Sequence, residues 1–156
     1  MNKRIRSSRG VSEAVVNNWK PLANSNYWYS NTWSSELGIF CMVGGSGGVV
    51  TSPDGFTWTS RTTPFSSNLS EIAWSPELGL FCVTAASNTS QNIMTSPDGI
   101  NWTARTRPGG VSCEYTGIDW SPELGLFCIV GNSTSTSVAT SPDGITWTAR
   151  TAAVSI

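Results

Sequence analysis

The chain has 156 residues, a net charge of −1, 12% charged residues and no histidine. That balance gives no broadly basic surface for nucleic acid and no imidazole for metal or acid–base chemistry. No apolar run approaches the roughly 18 residues of a membrane-crossing helix, and Lys3, Arg4, Arg6 and Arg9 lack the apolar stretch that would follow them in a signal peptide, so no membrane partner is expected.

Residues 1–26 read as a basic arm. Four of the nine basic residues lie in its first nine positions, which leaves five basic against ten acidic residues in the remainder. Residues 15–21, around Trp19, have the spacing of a spare fourth strand that could add to a sheet edge of another subunit or another protein, with an ordinary packed arm as the alternative. Lys3, Arg4, Arg6, Arg9 and Trp19 are therefore the candidate partner-binding residues, since a tail of this kind becomes ordered when a partner surface holds it.

From residue 27 onward the chain repeats itself. Residues 33–41, 74–82 and 120–128 each run from Trp through Glu-Leu-Gly to Phe-Cys, and each is followed by Thr-Ser-Pro-Asp-Gly-x-x-Trp-Thr-x-Arg-Thr, starting at Thr51, Thr95 and Thr140. A period of about 44 residues signals stacked supersecondary units. The units are 27–62, 69–106 and 114–151, with 152–156 as a tail. Polarity carried by 24 Ser, 18 Thr and 11 Asn, with eight Trp and five Phe for bulk, favours strands over helices. In the second unit, strands are expected at 69–75, 80–86, 93–96 and 101–106, forming a four-stranded antiparallel meander. The fold class is all-β.

The turn between the third and fourth strands has its own chemistry. In Ser96-Pro97-Asp98-Gly99, Pro sets φ for a type I turn and Gly supplies the positive φ that closes it. The carboxylates of Asp54, Asp98 and Asp143 can accept backbone N–H bonds inside the turn, and Trp58, Trp102 and Trp147 can fold over it. Ser52, Asp54, Gly55 and Trp58, Ser96, Asp98, Gly99 and Trp102, and Ser141, Asp143, Gly144 and Trp147 are thus structural turn residues.

Ser-x-Asp-Gly-x-x-Trp resembles the Asp-box of sialidase-like β-propellers, and the preceding Trp-Ser-Pro-Glu-Leu-Gly-Leu-Phe resembles the first hairpin of repeats in phage structural and tail-fibre proteins. The usual Asp-box carries one residue between Asp and Gly that is absent here. The resemblance implies propeller blades, and three blades are too few to close a ring. A homodimer supplying six blades is the expected completion, with a β-trefoil closed within one chain as the alternative.

Cys41, Cys82 and Cys128 share one register of the three units, which places them in separate sheets and reads them as small buried hydrophobes. Cys113 has no counterpart and falls in a loop. Without His or a Cys-x-x-Cys pair, no metal or other cofactor is expected.

Catalysis is not expected either. Arg61, Arg105 and Arg150 occupy one equivalent fourth-strand position, so the repeat spreads them around a rim, and no carboxylate pair converges as glycosidase chemistry requires. Loops after strands one and three are nearly constant between units, whereas residues 44–48, 88–92 and 132–137, and 63–70 and 108–115, vary. Variable loops on a constant scaffold are where recognition is placed, and drift in unconstrained loops is the alternative source of the same pattern. Asn88, Asn92, Tyr115 and Asn132 are the candidate ligand-binding residues.

The expected function is a non-enzymatic structural or binding protein. Through the phage resemblance it would be a virion component, such as a tail-fibre, capsid-decoration or attachment module whose arm meets other virion proteins. The alternatives are a soluble, cytoplasmic lectin binding glycans and a degenerate sialidase-like hydrolase.

Overall fold

The computed structural model describes residues 27–87, 89–108, 113–132 and 137–151. The predicted arm with Lys3, Arg4, Arg6, Arg9 and Trp19, the tail at 152–156 and Asn88 lie outside them. Three antiparallel sheets follow one another along the chain. The first contains β1 (Trp28–Ser34), β2 (Ile39–Gly44), β3 (Val49–Ser52) and β4 (Thr59–Arg61), with a short 3-10 turn at Gly45–Gly47 between β2 and β3. The second contains β5 (Leu69–Ser75), β6 (Leu80–Ala85), β7 (Ile93–Ser96) and β8 (Thr103–Arg105). The third contains β9 (Tyr115–Ser121), β10 (Leu126–Gly131), β11 (Val138–Ser141) and β12 (Thr148–Arg150).

Local chemistry sets each meander. The hydroxyls of Ser34, Ser75 and Ser121 end the first strand by accepting the N–H of Leu37, Leu78 and Leu124 at 3.1, 3.1 and 3.3 Å. A glycine at positive φ then turns the chain into the second strand. The facing pairs Trp33–Phe40, Trp74–Phe81 and Trp120–Phe127 sit opposite one another in register. Their ring centroids lie 4.5, 4.4 and 4.7 Å apart, in the tilted or edge-on arrangements aromatic rings prefer.

The sheets stack face to face, with the first strands innermost: β5 packs against both β1 and β9. Each sheet has a leading face, toward the preceding sheet, and a trailing face, toward the next. Between the first two sheets, the trailing side chains of Cys41, Val43 and Val49 pack against the leading Ile72, Phe81, Val83 and Met94. Between the second and third, the trailing Ala73, Cys82 and Ile93 pack against the leading Ile118, Phe127, Ile129 and Ala139. Alternation along β6 therefore buries both sets of its side chains, where a sheet with one wet face would bury only one.

This is the architecture of β-propeller blades. The trefoil alternative is overturned: among the described residues, strands pair only within their own repeat, whereas a trefoil requires strands of different repeats to share a barrel. Two smaller expectations also need correction. The fourth strand of the second unit is Thr103–Arg105, shorter than 101–106, because the Asp98 carboxylate draws the N–H groups of Ile100 and Asn101 into the turn at 2.8 Å each. Cys128 is exposed, unlike Cys41 and Cys82, because its trailing face has no sheet against it, while the loop residue Cys113 is buried.

Candidate functional site

The constant end of each blade carries the Ser-Pro-Asp-Gly turns, which use their polar groups internally. In the first, the Ser52 hydroxyl accepts the Gly55 N–H at 2.8 Å and donates to the Asp54 carboxylate at 2.9 Å. The same carboxylate oxygen accepts the N–H of Phe56 and Thr57 at 2.8 and 2.7 Å. The Trp58 indole then donates to the Gly55 carbonyl at 3.1 Å, closing the ring over the turn. Ser96, Asp98, Gly99 and Trp102, and Ser141, Asp143, Gly144 and Trp147, repeat this geometry.

These bonds shift the carboxyls. The Thr57 and Phe56 N–H groups hold Asp54 down at about 2. For Asp98, desolvation is the largest single effect and pushes upward, but the N–H bonds from Asn101 and Ile100, with the Asn101 amide and Ser96 hydroxyl, outweigh it and leave the group at about 2. Asp143 is lowered for the same reasons: desolvation opposes, and Thr146 and Ile145 win. A carboxyl with a folded value below its unfolded value of about 3.9 contributes stability above that pH and loses it as pH falls through the folded value. Urea midpoints followed by tryptophan fluorescence should therefore be flat from about pH 8 to 5 and fall between about pH 4 and 2. A midpoint unchanged down to about pH 2 would remove these turns as acid-sensitive elements.

The arginines also bond within their own blades. Arg61, Arg105 and Arg150 each donate Nε–H to the threonine Oγ1 of Thr51, Thr95 and Thr140 in their own blade, at 2.9 Å in all three cases. Among the described residues, no three His, Cys, Asp or Glu side chains converge in a way that could hold a metal ion.

At the variable end, the structure separates the predicted ligand-binding residues. Asn92 and Tyr115 are fully buried, so they do not face a ligand as expected. The Asn92 amide donates to the carbonyls of Ser87 and Cys113 at 3.0 and 3.3 Å, tying the second blade's loop to the chain entering the third. Burial pushes the Tyr115 hydroxyl up to about 12, with Cys113 adding to the effect. Asn132 is exposed, but its side chain binds Glu114, accepting the N–H and donating to the carboxylate at 3.2 Å each.

The sequence reading missed a concave surface on the axial side. A cleft of about 570 Å³ runs across β1, β5 and β9, walled by Ser30, Asn31, Thr32, Glu71, Trp74 and Asp119 among others. Glu71 accepts the Ile118 N–H at 3.1 Å and so bridges two blades at its floor. The cleft arises because β5 lies between β1 and β9, an arrangement between repeats that periodicity within a single strand does not reveal.

No known protein family and no curated protein matches the chain. Its fold is similar to that of YCF48 from Cyanidioschyzon merolae, with 20% identity and a TM-score of 0.67 over 83% of this chain and 41% of that one. YCF48 bound to D1 peptide gives 14% identity and a TM-score of 0.66 over 82% of this chain and 40% of that one. A chain of the nidogen/laminin complex gives 15% identity and a TM-score of 0.63 over 80% and 48%. The chain thus spans less than half the length of these solved structures, and the likeness is one of β-propeller fold.

Proposed function

We propose that this chain is a non-enzymatic binding module that acts as an oligomer in a phage virion, as a tail-fibre, capsid-decoration or attachment component. One observation carries the non-enzymatic reading: the repeated carboxylates and guanidinium groups are engaged in holding their own blades, with Asp54, Asp98 and Asp143 inside turns and Arg61, Arg105 and Arg150 on threonine hydroxyls. Each of these groups recurs once per blade, so among the described residues they are spread over three sheets and do not converge on one site.

The cleft over β1, β5 and β9 suits a segment of a partner protein. Its lining mixes polar side chains such as Asn31, Thr32, Glu71 and Asp119 with apolar Ile72 and Trp74, the mixture that orients an extended chain while burying some of its side chains. Two propellers of similar fold are known in complex, YCF48 with D1 peptide and the nidogen/laminin pair, which supports the same use here. The arm with Lys3, Arg4, Arg6, Arg9 and Trp19 supplies a second contact to other virion proteins. The lectin reading is weakened because Asn92 and Tyr115 are buried.

Tagged chain expressed during phage assembly should band with intact particles in a density gradient. Tagged chain remaining at the top of the gradient would overturn the virion role, and a positive glycan array in that case would transfer the reading to a lectin.

A further inference from the structure

The two internal blade junctions share one set of contacts, and the two outer faces carry the two halves of a third. At each junction the first-strand tryptophan of one blade donates its indole N–H to the turn glutamate of the preceding blade: Trp74 to Glu36 at 2.9 Å and Trp120 to Glu77 at 2.7 Å. Trp33 and Glu123 occupy the equivalent positions at the two ends. Trp33 is 43% exposed, and among the described residues its indole has no acceptor, while Glu123 accepts only the Ser121 hydroxyl at 3.3 Å.

The steric fit repeats in the same way. A Cβ placed on turn glycine Gly99 would meet Ile39 and Thr51 of the preceding blade, each at 3.2 Å, and one on Gly144 would meet Leu80 at 2.9 Å and Thr95 at 3.5 Å. Those glycines are where a β-branched or leucine side chain of the preceding trailing face nestles. At the equivalent Gly55 the only neighbour is Phe40 of its own blade, 3.8 Å away. In place of the missing side chain there is a hollow of about 210 Å³ lined by Asn31, Phe40, Met42, Gly55 and Trp58. The residues corresponding to Ile39 with Thr51, and to Leu80 with Thr95, are Leu126 and Thr140, on the open trailing face of the third sheet beside exposed Cys128 and Val130.

The departures from the apolar pattern also match. Ile72 and Ile118, buried on the leading faces of the second and third sheets, correspond to Asn31 in the first. Thr32 and Ala73, on the trailing faces, correspond to Asp119 in the third. An amide and a carboxylate thus appear together at the one junction that lacks the aliphatic contact, and each can satisfy the other.

Resting on the reading that the chain acts as an oligomer, we propose that the occupant of both open faces is a second copy of this chain, joined head to tail. Leu126 of each copy enters the hollow beside Gly55 of the other, the Trp33 indole bonds to Glu123, and Asn31 meets Asp119. The contact is heterologous, leading face to trailing face, and two such junctions close a ring of six blades.

The test uses the full chain with Met42→Arg on the leading face and Val130→Asp on the trailing face. Both positions are solvent-accessible, and unchanged circular dichroism confirms that each variant folds. Light scattering should give twice the 16.7 kDa chain mass for the unaltered protein, with association weakened at least tenfold in either variant. Mixing the two variants should restore the doubled mass, because one junction then pairs two unaltered faces and the other pairs Arg with Asp. A monomeric unaltered chain would overturn both the oligomer reading and this contact. A dimer dissociated by only one variant, or not restored by mixing, would overturn the head-to-tail contact while leaving the oligomer reading intact.

Discussion

Replacing Phe81 with alanine is expected to remove about 3–5 kcal/mol of stability, the cost of deleting a large side chain from a packed interior and leaving a cavity. Phe81 is fully buried on the leading face of the middle sheet, with Trp74 4.4 Å and Trp102 6.3 Å away between ring centroids. It also lies in the cluster shared by the first two sheets, so its loss loosens a blade and a junction together. For a domain of this size the shift in Tm is on the order of 10 °C. Leu124→Ala is the matched control, since Leu124 is 73% exposed and its truncation should stay within about 0.5 kcal/mol. Thermal unfolding by circular dichroism distinguishes the two. Equal shifts in both variants would mean that the junction does not depend on Phe81.

Gly47→Ala is the second large effect. Gly47 has φ of +71°, where an L side chain costs about 1–2 kcal/mol. A Cβ there would also run into the Phe65 backbone carbonyl, which cannot swing away as a side-chain tip can. That approach is part of the structure: the Thr63 hydroxyl donates to the Gly47 carbonyl at 2.8 Å, and Phe65 packs against the core between the first two sheets. The alanine must push the connection between blades outward, and overpacking adds about 1–3 kcal/mol, for a total of about 2–5. Gly38 has a similar φ of +63° with no atom within 4 Å of its Cβ direction. Gly38→Ala should therefore show the conformational cost alone, about 1–2 kcal/mol. Urea unfolding of both variants separates strain from collision, and equal losses would remove the collision.

What the sequence made legible was local. The expected strands 69–75 and 93–96 match β5 and β7, and the Asp98 turn bonds as its residue types require, because every partner lies within a few positions along the chain. What it concealed depends on the neighbouring sheet. Cys41 and Cys128 stand in nearly identical contexts, yet one is buried and the other exposed, since a second sheet covers only the first of them. Asn92 and Tyr115 have the composition of recognition loops but are enclosed where the second and third blades meet. The axial cleft needs three first strands side by side, and no pattern within one repeat encodes that.

Each meander pairs only strands consecutive in the chain, which has a kinetic consequence. Every hydrogen-bonded ladder closes across a short connection, so the chain entropy lost at each step of folding is small. Speed in folding follows the proportion of contacts that can form without long-range search. Here the ladders within a blade are the short-range steps, and the long-range step is the docking of sheets onto one another, with the middle sheet packed against both others.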